Sequence, residues 1–349
     1  MQNSKNTKAK KSGDNVRIAF AGASYDDPID RTFNNNIDVY NNKKYVSYGK
    51  NNDFPNYLYE AYLQCGILQG IINGIVDSLY KRLSSIDISE DDLLKCLYDY
   101  IIFGGYAVEV LRSKSRSTVK INHLPFENIR VSADKKVGFF SNKWGRFTSK
   151  YVELPLNDST ATHSIYYYSG RLSRGVYPLP MYFSALKSIE IQNEIKNFHL
   201  ATIKNNFNSN LIININNGNY SMETQKKVEN MLNEKFSGAK NAGKMMLLFN
   251  DSKENAADAV RLESDKFDEK YQSLDKSTKE DIFIAFRATP CLFGLMPENN
   301  GFSKEEYAEA MNLFEQNVLE PLLITFAHSF KAGEVVIVDE DAKIEANQD

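Results

Sequence analysis

The feature that most constrains this chain is a helix that is apolar on two opposite sides. From Met181 to Asn205 the pattern predicts about 25 helical residues, roughly 38 Å at 1.5 Å per residue. At about 100° per residue, Leu186, Ile189, Leu200 and Ile203 gather on one side. Ile191, Ile195 and Phe198 gather on the other. Such a helix needs neighbours on both faces. Burial in a monomer core would supply them, but Lys187, Glu190, Glu194, Lys196 and Lys204 oppose full burial. A ring of side-by-side helices, each wedged between two copies, satisfies both facts. Leu186, Ile189, Ile191, Ile195, Phe198 and Ile203 are then the candidate subunit contacts.

The chain upstream of Pro180 reads as α+β with a mostly antiparallel sheet. A polar N-terminal stretch holds one weak strand, Val16 to Ala21, and is Asn- and Asp-rich to about Lys44, too poor in apolar residues to build a core. A helix is predicted from about Asn56 to Leu83, and a second begins near Ser89, with Leu93, Leu94, Leu97 and Ile101 as its stripe. Gly104-Gly105 stops it. Strands follow at Tyr106 to Leu111, Val119 to Leu124, Ile129 to Ser132, Val137 to Phe140 and Ser164 to Ser169.

Beyond the two-faced helix comes a small β-α-β unit. Its strands are Asn210 to Ile215 and Lys244 to Phe249, with a helix from Ser221 to about Phe236. Another helix runs from about Asp265 to Ala288 and stops at Thr289-Pro290. Ser303 and Glu306 form a capping box for the last long helix, where Pro321 should produce a kink. A short strand, Glu334 to Val338, precedes an acidic end.

Composition excludes more than it selects. Lys and Arg number 42 against 45 Asp and Glu, a net charge of -3, so tight phosphate-driven grip on nucleic acid is not expected. The cysteines (Cys65, Cys96, Cys291) are too few and too scattered for a disulfide framework or structural zinc. No apolar run is long enough to cross a bilayer, and residues 1–13 lack the apolar core of a secretory signal. His123, His163, His199 and His328 sit on separate elements, without metal-ligand spacing. For His199 and His328, on amphipathic helices, a hydrogen-bonded structural role is the simpler reading. The run Gly238 to Lys244 has the spacing of a nucleotide-binding Gly-x4-Gly-Lys loop, but its order is helix, loop, strand. Met245 stands where a magnesium-binding Ser or Thr belongs. No cofactor and no catalytic residue is assigned. The 20 Tyr and 21 Phe are read as core and packing residues rather than base-stacking platforms.

Several segments in this order resemble the tailed-bacteriophage portal protein family, the head-tail connector. Residues Ile282 to Gly294 (IFIAFRATPCLFG) resemble that family's helix end, and Glu305 to Pro321 its acidic-aromatic helix ending in Leu-x-Pro. Gly175 to Pro180 is similar to the turn that launches a stem helix, and Tyr48 to Pro55 to an N-terminal Gly-x-Asn-x-x-Pro segment. The resemblance implies an N-terminal arm (1–44), an α+β wing (45–178), a stem helix (179–206), a clip (207–263) and a second stem helix (264–289). It further implies a tunnel loop (290–303), a long kinked helix back to the wing (304–330) and a short C-terminal strand and tail (331–349). A crown would be minimal or absent.

By this resemblance the chain is a non-enzymatic portal subunit in a ring, twelve copies by analogy, at one capsid vertex. Double-stranded DNA would pass without sequence specificity, near Glu298, Asn299, Asn300, Gly301 and Phe302 of the tunnel loop. The clip, with Ser237, Lys240, Asn241 and Lys244, would dock the terminase large subunit and later the head-tail adaptor. The major capsid protein would surround the ring, no membrane is involved, and assembly would take place in the host cytoplasm. The alternatives are another virion structural protein such as a head-tail adaptor or capsid-associated scaffold, an NTP-binding enzyme using Gly238 to Lys244, and a non-viral helical scaffold.

Overall fold

The computed structural model describes residues 44–49, 52–144, 150–170, 172–204, 212–216, 223, 227, 246–250, 267–295 and 303–338. The chain divides into two compact units, residues 26–196 with 265–349, and residues 1–25 with 197–264.

In the larger unit the N-terminal helical segment begins at Phe54 and is two helices, α1 (Phe54–Gln64) and α2 (Gly66–Tyr80), not one from 56 to 83. Cys65 between them is extended (φ -98, ψ 102). Its N–H still bonds the Ala61 carbonyl, and its own carbonyl accepts from Gln69, so it closes one helix and opens the next. The corner lets Leu58 and Ala61 of α1, and Leu68, Ile71, Ile72, Ile75 and Val76 of α2, all bury. A two-residue strand, β1 (Leu83–Ser84), follows. Then comes α3 (Glu90–Phe103), capped by Ser89 accepting from the Asp92 amide at 3.2 Å. Gly104 ends it at φ 81, with Leu179 so close that a Cβ would lie 2.4 Å from its carbonyl oxygen.

Three antiparallel strands, β2 (Gly105–Arg112), β3 (Thr118–Leu124) and β7 (His163–Ser169), form a sheet in the order β3-β2-β7. A second sheet joins β4 (Ile129–Val131), β5 (Val137–Phe140) and β6 (Val152–Pro155) in sequence order. The sequence did not show β6, because its burial pattern is nearly all exposed and so carries no alternation. Small ladders add β8 (Ser173–Arg174) to β9 (Tyr177–Pro178).

A 3-10 turn at Phe183–Ala185 leads into α4 (Leu186–Lys204). The larger unit resumes with α5 (Phe267–Phe286), α6 (Lys304–Phe314) and α7 (Glu320–Ser329). The expected disturbance at Pro321 is a π turn, Glu315–Leu319, immediately before it. Pro321 offers the Asn317 carbonyl no N–H and would crowd it, and widening the turn accommodates both. Last comes β12 (Val336–Ile337), antiparallel to β1 with Leu83 opposite Ile337. One core cluster runs from Val46 through α1–α3 and the β2 sheet to Phe286, Phe326 and Ala332. The architecture is α+β.

In the smaller unit β10 (Ile212–Asn216) and β11 (Met246–Asn250) pair in parallel, Ile212 opposite Met246. Glu223 and Lys227, between them in sequence, have helical backbone. Parallel neighbours require a crossover, so a connection crosses over between these two strands. The N-terminal arm with its Val16 to Ala21 strand, the rest of the 221–236 helix and the acidic end after Val338 lie outside the described residues.

Candidate subunit-contact surface and channel loop

Within the larger unit, a set of hydrogen bonds joins α4 to α5. Gln192 is fully buried, and its Nε2 donates to the Asp275 carbonyl (2.8 Å), to Asp275 Oδ1 (3.0 Å) and to Thr278 Oγ1 (2.6 Å). One turn earlier Ser188 Oγ donates to Asp281 Oδ2 at 2.8 Å. Lys279 sits 2.5 Å from Asp275. Burial pushes the Asp275 carboxyl up, but the bonds from Lys279 and Gln192 outweigh it and hold the group below the usual carboxylate range. Sequence reasoning missed this clamp, because a polar residue at a buried helical position leaves no periodic signal.

The clamp decides which apolar residues of α4 remain available. Leu186, Ile189 and Ile195 are 2%, 1% and 5% exposed, buried inside their own chain. These three of the expected subunit contacts are thus packed within their own chain and leave little surface for a neighbour. Ile191, Leu200 and Ile203 remain exposed, and Phe198 is half-buried. At about 100° per residue, Ile191 still lies on the opposite side of the helix from Leu200. The two-faced character therefore survives in fewer residues. Further exposed apolar side chains stand on α5 (Leu274, Ile284) and on α6 (Tyr307, Met311, Leu313).

Both ends of the predicted channel loop are fixed. On the leading side α5 buries Ile282, Phe283 and Phe286, and Thr289-Pro290 turns the chain into a 3-10 segment, Pro290–Phe293, ended by Gly294 at φ 81. Phe293 packs against Phe283 (centroids 6.0 Å) and edge-on to Phe314 (5.9 Å). It also rests on Gly74 of α2, where a Cβ would come 2.9 Å from its ring. On the trailing side Ser303 Oγ accepts from the Glu306 amide at 3.1 Å, while Glu306 Oε2 accepts from the Ser303 amide at 2.9 Å. The capping box read from the sequence is present. The loop residues Glu298, Asn299, Asn300, Gly301 and Phe302 lie outside the described residues, as do Ser237, Lys240, Asn241 and Lys244 and the whole Gly238 to Lys244 run.

The histidines take structural and surface positions. His123 Nε2 is 2.7 Å from buried Asp99, which also accepts from the Phe126 amide, and His163 Nε2 is 2.8 Å from Glu109. His199 lies edge-on to Phe198, and His328 is exposed on α7 rather than hydrogen-bonded inside. Among the described residues no cluster of three metal-binding side chains occurs. The buried cation Arg130 is satisfied without a carboxylate. Nη1 donates to the Glu127 (2.8 Å) and Ile129 (2.7 Å) carbonyls, Nη2 to the Asn52 carbonyl (2.8 Å), and Nε to Asn52 Oδ1. Its guanidinium lies over the rings of Trp144 (5.0 Å) and Tyr48 (5.8 Å). Tyr48 stacks on Tyr177 at 4.0 Å, fixing the 44–54 segment to the second sheet.

Three solved structures share this fold. A chain of the virion of a native gene transfer agent particle superposes with TM-score 0.54 at 15% identity, covering 85% of this chain and 87% of that one. The neck of the native particle, computed with C12 symmetry, gives 0.51 at 13% identity over 84% and 87%. The neck of the empty particle, computed with C6 symmetry, gives 0.53 at 15% over 84% and 87%. No curated protein sequence matches the chain. The phage portal protein family model matches residues 87–349, well over half of the sequence. The chain belongs to the phage portal protein family.

Proposed function

We propose that this chain is one subunit of a ring-shaped portal at a single capsid vertex, through which double-stranded DNA is packaged and ejected. The observation that carries the reading is the α4–α5 pair. The pair is joined internally by hydrogen bonds, and it leaves Ile191, Leu200, Ile203, Leu274 and Ile284 exposed in a family whose fold recurs in a neck computed with C12 symmetry. Side chains of this kind lose water when copies close a cyclic ring of heterologous contacts.

In this reading residues 45–178 form the wing, α4 and α5 the stem, and 207–263 the clip that docks the terminase large subunit and then the head-tail adaptor. The loop between Leu295 and Ser303 faces DNA, with Glu298, Asn299, Asn300, Gly301 and Phe302 as its lining. Near-balanced charge, 42 basic against 45 acidic residues, favours a conduit that lets DNA slide, because each phosphate–Lys contact would add a salt-dependent trap. The ring sits in the virion against the major capsid protein after assembly in the host cytoplasm.

Native mass spectrometry and negative-stain imaging test this. The expected particle is a closed ring near twelve times 39.8 kDa, about 480 kDa. A chain that stays monomeric even with its capsid protein present would overturn the proposal.

A further inference from the structure

Beside α7 the larger unit carries a groove of about 770 Å³ to which the portal reading gives no role. Three cations line it from three elements: Arg112 at the end of β2, Lys135 in the turn between β4 and β5, and Lys331 just after α7. Among the described residues neither lysine ammonium makes an ion pair or a side-chain hydrogen bond. The acid in the lining, Asp158, is already engaged by Thr160 through its amide (2.8 Å) and hydroxyl (2.7 Å). Arg112 is held at the wall by Ser164 Oγ, 2.8 Å from Nη1. Ile324, 39% exposed, and Tyr166 give the groove an apolar side. A ligand that fits is anionic and carries at least one apolar side chain.

The chain contains such a segment. Residues 339–349 (DEDAKIEANQD) carry five acidic side chains against one lysine, with Ile344 among them. They begin where the structure fixes the chain, since Val338 donates to the Arg82 carbonyl at 2.9 Å. Lys331 lies seven residues before Val338 and is therefore at most about 25 Å away. Glu345, seven residues beyond Val338, spans the same distance, and Asp349 reaches up to about 39 Å. We infer that the groove is the docking site of this chain's own acidic segment 339–349. Glu345 and Asp349 face Lys331, Lys135 and Arg112, and Ile344 rests on Ile324. The inference is independent of ring formation.

Zero-length carbodiimide cross-linking of the full chain, read by peptide mass spectrometry, tests it. The expected products join Lys331 or Lys135 to Glu345 or Asp349. Mixing isotopically labelled with unlabelled protein before assembly should give linkage within single copies. Lys331→Glu should lower the yield of Lys135 linkage about fivefold, the weight of one exposed ion pair. Adding Glu345→Lys to that variant should restore the yield. Lys331 is exposed, and an unchanged urea unfolding curve checks that each variant folds. Linkage only between copies, tail products spread over unrelated lysines, or no effect of Lys331→Glu would each overturn it. So would a single-stranded oligonucleotide that protects Lys135 and Lys331 and is itself displaced by neither substitution nor added acidic peptide.

Discussion

Arg130 makes a prediction that runs against the usual ranking of substitutions. The side chain is fully buried and its guanidinium serves the carbonyls of Asn52, Glu127 and Ile129. Burial pushes its pKa down, yet arginine keeps its proton in proteins, so the charge itself is being held out of water. Arg130→Met removes the charge and keeps most of the stem. It leaves three carbonyls without this donor, at about 1–3 kcal/mol each, offset by the several kcal/mol no longer spent desolvating a cation. A net loss of about 3 kcal/mol follows. Arg130→Lys keeps a buried charge but cannot fork to carbonyls on two sides, so its loss should be larger, about 4–5 kcal/mol. The single tryptophan, Trp144, lies 5.0 Å from the guanidinium and reports unfolding by fluorescence in urea. A lysine variant closer to wild type than the methionine variant would refute the reasoning.

Other positions give simpler tests. Ile203→Asp, at a 56% exposed site, should abolish assembly seen by native mass spectrometry while changing the unfolding free energy measured in urea by no more than about 0.5 kcal/mol. Two carboxyls set opposite pH trends. Burial pushes Glu109 up, but its bonds from Asn122 and His163 win and hold it low, so its stabilisation is present above about pH 4.3 and lost as pH falls through the lower folded value. Burial raises Asp99 against its bonds with His123 and the Phe126 amide, so its contribution is greatest below about pH 3.9 and is lost as pH rises through the folded value. Acid unfolding should therefore be shallower in Glu109→Gln and steeper in Asp99→Asn than in wild type. Ser303→Ala should cost about 1 kcal/mol and speed hydrogen exchange at the amides of Lys304 to Glu306.

Where the sequence signal and the local physics coincide, the two readings agree closely. Strands β2, β3, β4, β5 and β7 lie within a residue or two of the alternating runs, and the caps at Ser89, Gly104 and Ser303 occur as read. Agreement fails where tertiary contacts decide. Cys65 breaks a run whose apolar spacing looks continuous, since Leu58 and Ile72 keep helical phase across it. The Gly74–Phe293 contact that holds the 3-10 segment Pro290–Phe293 against α2 is invisible in periodicity, because glycine carries no hydrophobic mark. The partner of β12 is 252 residues away in sequence, Ser84 opposite Val336, and a two-residue strand announces no pairing.

The two-faced helix shows how far periodicity can be taken. It predicts that α4 has apolar residues on opposite sides, and it cannot say which of them the chain uses itself. Ser188, Gln192 and Ile195 fall at i, i+4 and i+7, a single face, and the first two meet α5 through hydrogen bonds. A polar clamp fixes the register of one helix on the other more sharply than apolar contact does, because Gln192 loses its partners if either helix slides by a turn. It also leaves much of the apolar surface of α4 unspent within the chain. Had Gln192 been leucine, α4 and α5 could slide or exchange partners with equivalent apolar faces on other copies. With the polar clamp, the internal pairing and the exposed Ile191, Leu200 and Ile203 are chemically distinct, so a subunit can fold first and associate afterwards.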